Sequence, residues 1–297
     1  MHIAAIANAD SWYRRDLERA ALARGHQFSR VDFRRLTATV SGDIVEVVAD
    51  DLCLSDCDAV IIRTMPPGSL EQVVFRMDLL AQLESAGVTV MNSPKAIECA
   101  VDKYLTTARL RDAGLPVPAT VVCENSEAAM TAFDELGGDV VVKPIFGAEG
   151  RGILRVSDPD LAFRTFRTLE RTQAVLYLQR YLAHEGFDLR AMVLDGRLIG
   201  SMRRHGNGDY RTNVSRNGTA TPVELTSEEA DLALRAAAAT GCRFAGVDLL
   251  YDRAGRIYVI EVNAVPGWRA LARVTGVDIA AVVLGALEGA ETASVPG

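Results

Sequence analysis

The stretch Gly246 to Trp268, Gly-Val-Asp-Leu-Leu-Tyr-Asp-Arg-Ala-Gly-Arg-Ile-Tyr-Val-Ile-Glu-Val-Asn-Ala-Val-Pro-Gly-Trp, constrains the fold more than any other part of the chain. It predicts two apolar strands, Val247 to Tyr251 and Ile257 to Val262, joined by a tight polar turn at Asp252 to Gly255. Three oxygen-bearing side chains, Asp248, Glu261 and Asn263, are set into these apolar segments. Glu261 and Asn263 are two apart and share a strand face, and Asp248 on an antiparallel neighbour can meet them across the ladder. An isolated ionised carboxylate in apolar surroundings is strongly disfavoured. A divalent cation supplies the missing partner, and an oxygen-only set without nearby His or Cys favours a hard ion such as Mg²⁺. A salt-bridged hairpin facing solvent is the competing reading, because Arg253 and Arg256 lie close by in sequence.

With 297 residues the chain can form two or three modest domains, and its 49% hydrophobic and 24% charged shares are those of a globular protein. No apolar run approaches the roughly 20 residues of a membrane span and no leader pattern opens the chain, so a cytoplasmic location without a membrane partner is expected. Five scattered cysteines, an odd number, predict reduced thiols rather than a disulfide framework. A net charge of −7 argues against nucleic acid as the main partner and leaves room for local basic pockets.

Strands predicted at His2 to Ala7, Gln27 to Phe33, Asp58 to Arg63 and Val88 to Met91 alternate with helices, which implies a parallel sheet with helical cover. No Gly-x-Gly-x-x-Gly follows the first strand, so no dinucleotide site is read there. Ser93 and Pro94 then start a helix reaching Asp112 that carries Lys103. Further on, the short strand Asp139 to Pro144 ends in Lys143 and runs into Ile145-Phe-Gly-Ala-Glu-Gly-Arg-Gly152. Backbone N–H groups of such a glycine-rich loop can close over an anion, with Lys143 adding fixed positive charge; a glycine-rich hairpin with no ligand would read the same. Arg190 and Arg203 fall on a hairpin turned by Asp195-Gly196, and exposed strand arginines are common. The polar stretch His205 to Thr221, with Arg211-Thr212-Asn213, has the composition of a functional loop, and Thr226-Ser-Glu-Glu229 is a capping box opening an alanine-rich helix.

In this order the pieces resemble the ATP-grasp superfamily of carboxylate–amine ligases, and specifically its RimK-type α-L-glutamate ligase branch. The resemblance implies a mixed α/β and α+β fold in three parts. These are an N-terminal Rossmann-like parallel sheet over residues 1–92, a central α+β subdomain with a glycine-rich flap over 93–182, and a C-terminal antiparallel-sheet domain over 183–297. It also implies that Lys103 and Lys143 contact ATP phosphates beneath a flap containing Gly147, Glu149, Gly150 and Gly152. Gln179, Arg180, Tyr181 and Leu182 would line the adenine pocket and Asp188 would approach the ribose. Asp248, Glu261 and Asn263 would hold two Mg²⁺ or Mn²⁺ ions, while Arg190, Arg203 and the run Arg211, Thr212, Asn213 would hold phosphate or an acyl phosphate.

The implied activity is ADP-forming amide synthesis between a carboxylate-bearing acceptor and an amino acid, L-glutamate, in a homodimer or homotetramer. The chain departs from the branch in carrying Arg180 where an acid is usual and in lacking paired glycines between Asn213 and Gly218. Its ending, Glu261 to Trp268, resembles members that add an amino acid to a pterin cofactor such as tetrahydromethanopterin. Two alternatives stay open: another amino-acid or dipeptide ligase of the superfamily, and a nucleotide-binding regulatory module, which would have little need for all three metal ligands.

Overall fold

A computed structural model describes residues 1–42, 44–147, 151–206 and 219–293, without the side chains of Ile44 and of residues 290–293. The N-terminal part runs β1 (His2–Ile6), α1 (Trp12–Ala23), β2 (Gln27–Val31), β3 (Leu36–Ser41), β4 (Ile44–Ala49), β5 (Leu52–Cys53), β6 (Ala59–Ile62), α2 (Leu70–Ser85) and β7 (Thr89–Met91). Strands β1, β2, β6 and β7 form the expected parallel sheet, in the order β2-β1-β6-β7. The runs Ile3 to Ile6 and Ala59 to Ile62 are apolar at every position because both faces of such a sheet are covered. Strands β3, β4 and β5 make a separate antiparallel sheet; β3 alternates Leu36, Ala38 and Val40 with Thr37, Thr39 and Ser41, yet only Leu36 is buried.

The middle of the chain contains α3 (Pro94–Val101), α4 (Lys103–Asp112), β8 (Thr120–Cys123), α5 (Ser126–Glu135), β9 (Val140–Lys143), β10 (Leu154–Val156), α6 (Pro159–Arg171) and β11 (Leu176–Arg180). The single helix expected over 95–112 is two, because Asp102 leaves helical geometry and caps α4 by accepting from the Leu105 amide at 2.9 Å. Lys103 is thereby the first residue of α4. The sheet β10-β9-β11-β8 and helices α5 and α6 enclose their own core, centred on Phe133, Phe166, Leu176 and Leu178.

The last part comprises β12 (Phe187–Leu194), β13 (Arg197–His205), β14 (Thr219–Pro222), α7 (Ser227–Thr240), β15 (Phe244–Tyr251), β16 (Ile257–Asn263), α8 (Arg269–Thr275) and α9 (Ile279–Ala293). Its five strands are antiparallel in the order β14-β13-β12-β15-β16. One face packs on α7, which opens with the predicted capping box of Thr226 and Glu229. Helices α3 and α4 and the N-terminal sheet join that same core, whereas β8 to β11 stay apart from it. Asn92 locks the first and last parts together: its amide donates to the carbonyls of Phe244 and Ala264 at 2.6 Å each and accepts from the Phe244 amide at 2.8 Å. Buried amides keep their place only when bonded in this way. No single helix among the described residues is long and apolar enough to cross a membrane.

Candidate active site

Strand β15 meets β16 with Asp248 opposite Glu261 and Gly246 opposite Asn263, so all three candidate metal ligands share one face. A bulge makes this possible. Leu249 pairs with Val259 while Asp248 pairs with Glu261, leaving Ile260 as the extra residue. The apolar phase therefore switches from Ile257 and Val259 to Val262 and Ala264, all buried in one core, and Ile260 and Glu261 both line a pocket.

The same face carries a buried ion network. Arg190 lies opposite Asp248 and binds its carboxylate through Nε and through Nη2, the latter at 2.9 Å. Arg204 binds Asp188 at 2.7 and 2.6 Å and reaches Asp248 at 2.8 Å. Burial alone would raise the Asp248 carboxyl, but the Arg190 and Arg204 guanidinia outweigh it and hold it below the usual carboxylate range. Burial works against the Arg204 charge too, and Asp248 and Asp188 more than compensate, so this guanidinium is held firmly protonated. The arginines near Asp248 are thus not Arg253 and Arg256; Arg256 pairs instead with Asp252 in the turn. Gly246 leaves room for this network: a Cβ there would stand 2.9 Å from Arg190 Nη1 and 3.0 Å from the Pro266 ring.

Arg203 projects from the opposite face, beside Leu189, with its guanidinium 4.4 Å from the Phe187 ring centre. An unbroken ladder counted from the Leu194–Arg197 pair would place Arg203 opposite Asp188. A second bulge, at Ile199, puts Arg204 there instead. The sequence offered Arg204 only as the second half of an Arg-Arg doublet.

Across the pocket, Lys143 ends β9 and donates to Gln179 Oε1 at 2.7 Å. Gln179 in turn donates to Thr120 and to the Tyr177 hydroxyl, which also bonds Thr107 on α4 at 2.8 Å. Lys103 donates to the Gly147 carbonyl at 2.8 Å. Both lysines line the pocket with Glu261. Burial pushes the Lys143 ammonium from 10.5 down to about 8 against the opposing pull of Glu261, and it lowers Lys103 in the same sense. Such cations gain most from an anionic ligand.

At the exit of β11 the amides of Arg180 and Tyr181 donate to Ala119 and Asp139 carbonyls. The exposed Arg180 side chain donates to the Leu136 carbonyl at 3.3 Å, the Tyr181 ring lies under the Arg155 guanidinium at 3.5 Å, and Leu182 is half-buried beside them. Gly147 and Gly152 both pack on the Pro144 ring, where an added Cβ would come within 3.2 and 3.3 Å of it. Glu149, Gly150, Arg211, Thr212 and Asn213 lie outside the described residues.

The donor set suits a hard divalent cation. Asp248 uses three of its about four lone-pair sites on arginines and keeps one, Glu261 is half-buried in the pocket, and Asn263 Oδ1 sits on the same face while accepting from the Val265 amide at 3.0 Å.

A cationic pair and an oxygen-ligand face looking at each other between two antiparallel sheets define the ATP-grasp class. A family model for the RimK-like ATP-grasp domain matches residues 100–287, and one for the RimK pre-ATP-grasp domain matches residues 1–97. The chain belongs to the RimK-like ATP-grasp family. It is 34% identical to a tetrahydromethanopterin:alpha-L-glutamate ligase of Methanosarcina acetivorans, covering 94% of this chain and 96% of that one. A probable alpha-L-glutamate ligase of Pseudoalteromonas translucida is 32% identical, with 95% and 93% covered. Among solved structures, the ATP-grasp ligase PsnB complexed with a minimal precursor is 25% identical with a TM-score of 0.77, over 97% of this chain and 98% of that one. The same ligase has also been solved with Mg and ADP, at 25% identity and a TM-score of 0.74.

Proposed function

We propose that the protein is an ATP-dependent ligase that joins an acceptor carboxylate to the amine of L-glutamate. The observation that carries this reading is Lys103 and Lys143 lining one pocket with Glu261, beside a face that also holds Asp248 and Asn263. In the reaction, an acceptor carboxylate oxygen attacks the γ-phosphorus of ATP and ADP leaves. The amine then attacks the acyl carbon, inorganic phosphate leaves and the nitrogen loses a proton. Lys103 and Lys143 offset the triphosphate charge, and Gly147 and Gly152 bring backbone close to it. Glu261, Asp248 and Asn263 would hold Mg²⁺, or Mn²⁺ in its place and as one or two ions, which supplies charge neutralisation at the transferring phosphoryl group. Arg190, held over Gly246 beside Pro266, meets the negative charge that develops as the amine attacks; Arg203 is the second candidate for that task.

A reduced pterin ending in a carboxylate is the first acceptor to test, because the relative named for such an acceptor matches nearly the whole chain. A peptide carboxylate is the second, supported by the likeness to a ligase solved with its precursor peptide. The assay is phosphate release from ATP with Mg²⁺ and L-glutamate, with and without each acceptor, for wild type and Glu261→Ala. Acceptor-dependent release lost in the variant supports the ligase. Tight ATP binding with no release on either acceptor class favours the regulatory module.

A further inference from the structure

Arg63 stands directly after β6, its amide bonded to the Ile6 carbonyl of β1. The chain runs from β1 outward to β2 and then returns to β6 on the other side, so β1 and β6 flank the point where strand order reverses. Ligands of open parallel sheets bind outside the carboxyl ends of the strands at such a point.

The Arg63 guanidinium is clamped there. It lies 4.4 Å from the Trp268 ring centre and 5.0 Å from that of Tyr13, and Nη2 donates to the Pro266 carbonyl at 2.8 Å. The clamp is tight, because a Cβ on Gly267 would meet the Tyr13 hydroxyl at 2.5 Å. Among the described residues no carboxylate pairs with Arg63, and its Nε is buried without a hydrogen-bond partner. Burial pushes its pKa down to about 10, the reverse of the acid-paired Arg204. Among the described residues Nη1 has no hydrogen-bond partner either, in a side chain that is only partly enclosed. Two aromatic faces hold the group rigid without neutralising it, so its charge and the Nη1 donor are left for a ligand.

Pro266 ties this group to the chemistry. Its carbonyl takes Arg63, and its ring lies beside the Gly246 position that Arg190 fills, two residues along β15 from Asp248. Arg63 is thereby linked through Pro266 to the sheet face that carries Arg190 and Asp248, while Lys103 and Lys143 line the pocket with Glu261.

We propose that Arg63 binds a non-reacting carboxylate of the incoming amino acid and so orients its amine toward the activated acceptor. This rests on the ligase reading above. The carboxylate is held by the fixed charge and the Nη1 donor of one guanidinium, and amino acids lacking that carboxylate are rejected because Arg63 would stay buried without an anion.

The test compares L-glutamate with its α-amide and its γ-amide, glutamine, as amine donors in the ATP-dependent assay, for wild type, Arg63→Lys and Arg63→Met. Wild type is expected to prefer glutamate over one of the two amides. In Arg63→Met, kcat/KM for glutamate falls about 10- to 100-fold through KM, the preference shrinks toward unity, and KM for ATP moves far less. Arg63→Lys keeps part of the preference. A poorly folded fraction lowers turnover on all three donors alike and leaves the ratio untouched, so the ratio reads binding alone. Arg63→Met retaining the wild-type preference, or a wild type without one, overturns the assignment while leaving the ligase intact. A wild type that turns over no amino acid overturns the ligase reading instead.

Discussion

Two regions of the molecule treat buried positive charge in opposite ways. On the face of the C-terminal sheet, Arg190 and Arg204 are matched by Asp248 and Asp188 in a closed network. Elsewhere, among the described residues, Lys143 donates only to the neutral Gln179 and Arg63 only to a carbonyl, between two rings, and burial depresses the first to about 8 and the second to about 10. A matched network has its cations neutralised before any ligand arrives. Cations left open cost stability in the free protein and regain it when an anion arrives, which is how a site stores affinity for its substrates.

The largest effect that could break this contrast is expected at the acidic side of the cleft. Glu261→Ala should lower acceptor-dependent phosphate release by about 10³-fold with little change in thermal stability. Unfolding of the variant in parallel with the activity loss would make Glu261 part of the closed network instead. Next comes the network itself. Arg204→Met removes the guanidinium that Asp188 and Asp248 share and should cost about 3–5 kcal/mol in urea unfolding, since breaking a buried ion pair is strongly destabilising.

The open cations predict a pH signature. Because the folded-state pKa of Lys143 is depressed, its charge penalises the free protein below about pH 8 and the penalty fades as pH rises from there toward 10.5. Affinity for Mg·ADP should weaken over that same window, and Lys143→Met should flatten the dependence; titration calorimetry at several pH values reads both. The smallest effect is expected for stability at Arg63. Arg63→Met removes a cation that strands no acid, so urea unfolding should register about 1–2 kcal/mol, well short of Arg204→Met. Equal losses for the two arginines would erase the distinction between matched and open charge.

Much of this site is legible in the amino-acid sequence. Glu261-x-Asn263 at strand spacing, Asp248 on the neighbouring strand and Lys143 ahead of the glycines are short-range patterns, and local alternation carries them. The parallel sheet is legible for the same reason, from uninterrupted apolar runs such as Ala59 to Ile62. What the pattern hides depends on single inserted residues or on distance. The bulges at Ile199 and Ile260 each shift a ladder by one residue, which exchanges Arg203 for Arg204 on the inner face and turns Glu261 toward the lysines. The phase change from Val259 to Val262 is the only trace of the Ile260 bulge in the sequence. Arg63 meets Pro266 across 203 positions of chain, and no local periodicity reports such a contact.

The most direct test of the ligase chemistry uses an acceptor whose carboxylate carries ¹⁸O, incubated with ATP, Mg²⁺, L-glutamate and the protein, with the released phosphate examined by ³¹P NMR. Activation of the carboxylate by phosphoryl transfer predicts one ¹⁸O in each phosphate formed. Phosphate released without the label while amide accumulates would contradict an acyl phosphate and the roles given to Lys103, Lys143 and Glu261.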